Sequence, residues 1–96
     1  MSEQFSRTEM LIGSENLAKL ANSHVAVFGV GGVGGYAIEA LVRSGIGKID
    51  IIDNDKVSIS NLNRQIIALH STIGKYKVDV AKERISDINP NITVNA

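Results

Sequence analysis

Cysteine is absent from the 96-residue chain, and Pro90 is its only proline. Without cysteine these residues hold neither a disulfide scaffold nor a thiolate metal site. A single proline leaves no Pro-rich linker, and no repeat or low-complexity tract divides the chain. Net charge is missing too, since ten basic and ten acidic residues cancel. That balance argues against a polybasic nucleic-acid surface, though it leaves room for a local patch. No apolar run is long enough to span a bilayer, and Met1 to Arg7 lack the apolar core of a signal peptide. The expectation is a soluble cytoplasmic protein. What is present is an ordinary globular composition, 44% apolar and 21% charged. The length fits one small domain or a piece of a larger one.

Residues 1–22 read as an N-terminal helical arm. Thr8 to Ile12 is stopped by Gly13, expected in a left-handed conformation, and Ser14 is placed to cap a second helix bearing Leu17, Leu20 and Ala21. Val25 to Phe28 is apolar without alternation, the pattern of a parallel strand covered on both faces. Val33, Ala37, Ala40 and Leu41 predict a helix over Gly34 to Ser44, with Gly45 as its stop and Arg43 in its last turn. A second strand follows over Lys48 to Asp53, then a short helix capped by Asn61 and running to Ala68. Lys75 to Ile88 predicts a longer helix with a stripe of Val78, Ala81, Ile85 and Ile88, and Ile92 to Val94 begins a third strand. Strands alternating with helices of this length imply right-handed parallel crossovers. The fold class is therefore α/β, a Rossmann-like doubly wound sheet with strand order 3-2-1, and residues 23–96 read as its N-terminal half. A full sheet would add a fourth strand beside the first. Without it the first strand keeps an unpaired apolar edge, which favours association.

The stretch Gly29-Val30-Gly31-Gly32-Val33-Gly34-Gly35 carries five glycines in seven positions, between the first strand and the first long helix. Gly29, Gly31 and Gly34 match the dinucleotide fingerprint. Such a turn needs positive backbone dihedrals, lets backbone approach a phosphate, and packs helix closely on strand. The helix N-terminus offers free N–H groups and a positive dipole end to an anion. Asp53 follows about 20 residues after the loop, where a carboxylate accepts hydrogen bonds from ribose hydroxyls. These features favour a nucleotide over a bare turn but leave its kind open. Downstream lie a second acid, Asp55, the amides Asn61 and Asn63, then Arg64, Gln65 and Lys77. A triphosphate carries more charge, spread further from the ribose, than a dinucleotide. Arg64 with its planar fork and Lys77 with its compact charge suit it, where each alone would read as a surface residue.

Four separated strings, GVGGVGG, IIDNDKVSISNLNRQ, TIGKYK and INPNI, occur in order. Together they resemble the family of ubiquitin-activating-like adenylating enzymes, from Phe5 to Pro90. Within it they are most similar to the branch that dehydrates threonylcarbamoyladenosine in tRNA, with the sulfur-carrier adenylyltransferases of the molybdopterin and thiamin pathways as the near alternative. The resemblance implies ATP-dependent activation of a carboxylate, with Mg2+. It places Gly29, Gly31, Gly32 and Gly34 against the nucleotide, Asp53 on the ribose, and Asp55 nearby. It places Asn61, Arg64 and Lys77 on the phosphates, the last two in the catalytic role. Arg7 matches an arm arginine that reaches the partner subunit's site in a homodimer. The implied partner is a tRNA carrying threonylcarbamoyladenosine or a ubiquitin-like sulfur-carrier protein. The family's magnesium-binding aspartate and its substrate-side half would lie past residue 96, so these residues alone are not expected to catalyse the reaction.

Two readings compete. A nicotinamide-dependent oxidoreductase rests only on the glycine loop and Asp53, and a non-catalytic nucleotide-binding module would need no more. His24 and His70 lack metal-ligand spacing, with His24 expected beside the first strand and His70 at the end of the short helix. Tyr36 and Tyr76 read as packing groups, and Ser58 and Ser60 as turn residues.

Overall fold

The computed structural model describes residues 3–96; Met1 and Ser2, which the arm and the signal-peptide reading include, lie outside the described residues. A single 3-10 turn, Glu3–Phe5, leads into α1 (Ser6–Ile12) and α2 (Ser14–Ala21). The order then runs β1 (His24–Phe28), α3 (Gly32–Ser44), β2 (Lys48–Ile52), α4 (Lys77–Ile88) and β3 (Thr93–Asn95). The three strands are parallel with β2 in the centre, so the expected 3-2-1 order holds. Phe28 pairs with Ile52 and Ile49 with Val94, which aligns the C-terminal ends of β1 and β2.

Side chains alternate across a parallel sheet, and here only one face is covered. Val25, Val27, Ile49, Ile51 and Val94 point into a core with Ile38 and Val42 of α3 and Val80, Ala81 and Ile85 of α4. Complete burial of Ile49, Ile51 and Ile85 contributes about 2 kcal/mol each. The apolar run in β1 predicted cover on both faces, but His24, Ala26 and Phe28 are exposed, Phe28 at 79%. The reason is topological: both crossovers move across the sheet in one direction, so both long helices fall on the same side. On the bare face Asp50 accepts from Asn95 Nδ2 and pairs with His24 Nε2, both at 2.7 Å. Asn95 above all, and then His24, hold the Asp50 carboxyl below its usual range, against the opposing effect of burial.

Three local expectations differ from the structure. The buried stripe of α3 is Gly35, Ile38 and Val42, whereas Val33 is 88% exposed and Ala40 is also exposed. Both stripes have helical spacing, and sequence periodicity does not say which one meets the sheet. The short helix to Ala68 is instead a 3-10 turn, Ile59–Asn61, followed by hydrogen-bonded turns to Gly74. Thr72 Oγ1 donates to the Ile67 and Leu69 carbonyls and accepts from Leu69 N, which replaces helical pairing with a local network. His70 therefore lies on an exposed turn. Ser14 is the first residue of α2 and makes no cap hydrogen bond; Gly13 precedes it at φ 85° and ψ 160°, positive but extended rather than left-handed helical. Gly45 does close α3 in the left-handed region, its N–H reaching Leu41 and Val42 carbonyls.

The arm docks on that closing turn. Phe5 and Leu17 are buried against Gly45, and Gly47 N donates to the Leu20 carbonyl at 3.1 Å. Glu39 joins the long helices: Arg84 of α4 donates to both of its oxygens at 2.9 and 3.0 Å, and Arg43 adds an i,i+4 pair. Arg84 is the main reason the Glu39 carboxyl sits below its usual range, with burial opposing and Arg43 assisting. A depressed carboxyl stabilises the fold above its unfolded pKa, and that contribution fades as pH falls through the native value. Replacement of Glu39 by Ala is expected to cost about 1 kcal/mol near neutral pH, or roughly 5 °C in Tm, and less in acid. Thermal denaturation at two pH values checks this, and an equal Tm in both proteins contradicts it. The free β1 edge leads to a second expectation, that the 96-residue chain self-associates at high concentration; a strictly monomeric mass in light scattering contradicts it.

Candidate nucleotide-binding site

The glycines of the loop differ in what the chain itself demands of them. Gly29 has φ 93°, which a side chain rarely tolerates. Gly34 sits so close to β1 that a Cβ would lie 1.9 Å from the Gly29 carbonyl oxygen, so the helix–strand packing requires glycine. Gly31 and Gly32 have no such need. A Cβ on either would come no nearer than 3.9 Å to another group, the Gln65 amide nitrogen and the Arg64 carbonyl respectively. Two glycines thus keep open a space that the described residues do not fill. Gly31 is the N-cap of α3, with no side-chain cap, and no acidic residue occupies the first turn. The first N–H groups of α3 are therefore aimed outward without a countercharge of their own.

Asp53 is the hub of the site. It follows β2 directly and crosses to the loop: Val30 N donates to its Oδ2 at 2.7 Å, and Asp55 N donates to its Oδ1 at 2.8 Å. Gly29 N extends the strand ladder by donating to the Ile52 carbonyl at 2.8 Å. Burial, the largest single influence, pushes the Asp53 carboxyl up; the Val30 and Asp55 N–H groups and the Lys77 charge outweigh it, so it lies below the usual aspartate range. An ionised carboxylate offers about four lone-pair directions, so two hydrogen bonds leave it able to accept from hydroxyls. Asp55 keeps its side chain exposed, while its carbonyl accepts from Lys77 N at 3.0 Å.

Lys77 opens α4, as the motif order implies, and is only 7% exposed. A solvated helix position does not describe it, and its charge is one of the influences that lower the Asp53 carboxyl. Asn61 is buried, and its Oδ1 accepts from Ser58 N at 2.9 Å in a capping box, with Ser58 and Ser60 hydroxyls 3.1 Å apart. Arg64 is exposed and folded onto its own turn, its Nη1 donating to the Ser60 carbonyl and Asn63 Oδ1, each at 3.0 Å. Residues 64–66 still run against the loop, through the Gln65 side chain at Gly31, the Arg64 carbonyl at Gly32 and the Ile66 side chain at Gly35. The structure thus brings the loop, Asp53, Asp55, Lys77 and the Arg64 segment together at the C-terminal ends of β1 and β2. Arg7 lies exposed on α1 in the arm, which docks at the far turns around Gly45 and Gly47. Tyr76 is half-exposed under Lys56, whose ammonium lies 5.0 Å from the ring, and Tyr36 is exposed as well, so neither is a packing group.

The residues present do not form a magnesium site. Among the described residues no three His, Asp or Glu side chains converge to hold a metal ion. Three surface clefts of about 360, 290 and 330 Å³ lie elsewhere, along α4, under the arm and beside Gln4. The glycine loop lines none of these three. Among the described residues no helix is long and apolar enough to cross a membrane.

A parallel sheet, a glycine turn at an uncapped helix N-terminus and a carboxylate at the end of the next strand define a Rossmann-like domain of the nucleotide-binding type. The chain belongs to the ThiF family, whose model matches residues 5–96. It is similar to the tRNA threonylcarbamoyladenosine dehydratase of Bacillus subtilis, 58% identical over 96 residues, covering all of this chain and 38% of that protein. It is also similar to the adenylyltransferase and sulfurtransferase UBA4 of Scheffersomyces stipitis, 47% identical over 76 residues, covering 79% of this chain and 17% of that one. Among solved structures, the E. coli tRNA N6-threonylcarbamoyladenosine dehydratase in complex with ATP matches with TM-score 0.95 and 46% identity, over 97% of this chain and 38% of that chain. The chain spans about a third of the length of the dehydratases it matches.

The glycine geometry separates folding from binding. Gly34→Ala is expected to cost about 3 kcal/mol or more, because a backbone carbonyl must move, whereas Gly31→Ala changes stability by about 1 kcal/mol at most. Denaturant melts of both variants check this, and equal losses contradict it. Asp53→Asn keeps one acceptor for two N–H groups and is expected to cost about 1–3 kcal/mol at neutral pH. The Asp53 contribution is complete above the unfolded pKa and lost as pH falls below about 4, so the two proteins converge in acid. A pH-independent difference contradicts the assignment.

Proposed function

We propose that the chain forms the ATP-binding part of an enzyme that adenylates a carboxylate. The observation that carries this reading is the Asp53 carboxylate, fixed to the glycine loop by the Val30 N–H and to its own turn by the Asp55 N–H. Residues 1–22 serve as an arm and 23–96 as the nucleotide-binding half. Gly29, Gly31, Gly32 and Gly34 face the nucleotide, and Asp53 accepts from the ribose with Asp55 nearby. Asn61, Arg64 and Lys77 serve the phosphates. The substrate carboxylate attacks the α-phosphorus; the bond to the bridging oxygen breaks and pyrophosphate leaves. Catalysis comes from positioning and from charge stabilisation by Lys77 and Arg64. Arg64 exchanges two bonds to neutral oxygens for bonds to phosphate, which are roughly twice as strong. Lys77 is already held in place by burial.

The carboxylate proposed is the threonylcarbamoyl group on a tRNA adenosine, which closes to a cyclic product as AMP leaves. The dehydratase of B. subtilis, at 58% identity over the whole chain, supports this substrate over a sulfur-carrier protein. Arg7 is proposed to act across a homodimer.

The test uses the protein extended to the length of its relatives. ATP is expected to bind more tightly than NAD, and Arg64→Ala is expected to lower pyrophosphate release about 100-fold. Release should be stimulated by tRNA bearing threonylcarbamoyladenosine. Stimulation only by a small carrier protein overturns the substrate, and tighter NAD binding unaffected by Arg64→Ala overturns the adenylation reading.

A further inference from the structure

Gln65 is the most unusual polar residue among those described. It is 8% exposed, and its Oε1 is buried without any hydrogen-bond partner. An orphaned buried carbonyl costs about 1–3 kcal/mol, so its persistence calls for a physical reason. The backbone fixes the residue: Gln65 N donates to the Asn61 carbonyl at 2.9 Å, and Ala68 N donates to the Gln65 carbonyl at 3.0 Å. The other end of the side chain, Nε2, lies beside Gly31, 3.9 Å from where a Cβ on that glycine would stand. Among the described residues Nε2 donates no hydrogen bond of its own, so the amide N–H groups have no acceptor on the side of the open space.

Two features therefore converge at one point. Gly31 keeps space open at the uncapped N-terminus of α3, which favours an anion, and a buried amide presents spare donors to that space. We propose that Gln65 is a phosphate-facing donor of the nucleotide site, holding a phosphate oxygen against the first turn of α3. The inference rests on the ATP-binding reading above. The backbone bonds of Gln65 and the packing around its side chain hold the amide beside Gly31, so the donor is in position before the nucleotide arrives. Gln65 sits next to Arg64, whose guanidinium must leave its turn to reach a phosphate. The pair thus combines one preset neutral donor with one mobile cation.

The test compares wild-type protein, Gln65→Met and Gln65→Glu, all extended to the length of the relatives, by calorimetric titration with ATP, AMP and adenosine. Methionine keeps the apolar volume and removes both the donor and the orphan acceptor. Its Tm is expected to be equal to or above that of the wild type, with ATP and AMP affinity at least fivefold lower and adenosine affinity unchanged. Glutamate replaces the donor by a negative charge and should weaken ATP further. Wild-type ATP affinity in Gln65→Met overturns the proposal while leaving the adenylation reading intact. An equal loss for adenosine, or a lowered Tm, also overturns it by assigning Gln65 to packing. Failure of the wild-type protein to bind ATP overturns both.

Discussion

One carboxylate sets the geometry at the head of the sheet. Asp53 terminates β2, and its two oxygens accept N–H groups from the loop after β1 and from its own following turn. With Gly29 N on the Ile52 carbonyl, this fixes where the glycine turn leaves the strand and hence where α3 begins. Asp55, whose N–H is held by Asp53, accepts Lys77 N on its carbonyl and so places the start of α4. The N-termini of α3 and α4 are thereby tied to one anionic group at the sheet's C-terminal edge. An anion bound to α3 would meet positive helix ends and a lysine, with Asp53 set aside for neutral hydroxyls.

Conformational demand and chemical opportunity are separable within one loop. Gly29 and Gly34 answer to backbone dihedral and helix–strand approach, while Gly31 and Gly32 answer to nothing in the chain. A glycine motif read as a unit hides that division. The opposite case is Gln65, whose carbonyl is buried without a partner while its Nε2 lies beside Gly31. A missing side chain and a missing hydrogen bond at one place point outward, to a group the polypeptide does not itself supply.

Much of this was legible in the sequence because its signals are local. The strand–turn–helix around Gly29, the acid after the second strand and the order of helices and strands follow from period and punctuation, and so did the parallel 3-2-1 sheet. What was not legible depends on tertiary context. Val33, Ala37 and Ala40 fall at helical spacing, as do Gly35, Ile38 and Val42, and only the sheet's position decides which stripe is buried. The segment after Asn61 has helical composition, yet the Thr72 hydroxyl and the approach of residues 64–66 to the glycine loop hold it in turns. Lys77 gave no sign of burial in its own sequence neighbourhood, and the Asp53 carboxyl that its charge lowers lies 24 residues earlier on another element. Gln65 was visible as part of a motif but carried no role until its burial and its missing partner were known.

A nucleotide is proposed to bind at the glycine loop beside Asp53. Amide NMR of the isotopically labelled protein, titrated with ATP, addresses it residue by residue. The account predicts that the largest shifts fall on the N–H groups of Gly31 to Gly35, with smaller ones at Asp53, Asp55 and the first turn of α4. Shifts confined to the cleft between residues 66–75 and α4, or spread evenly without a maximum at the loop, would contradict it.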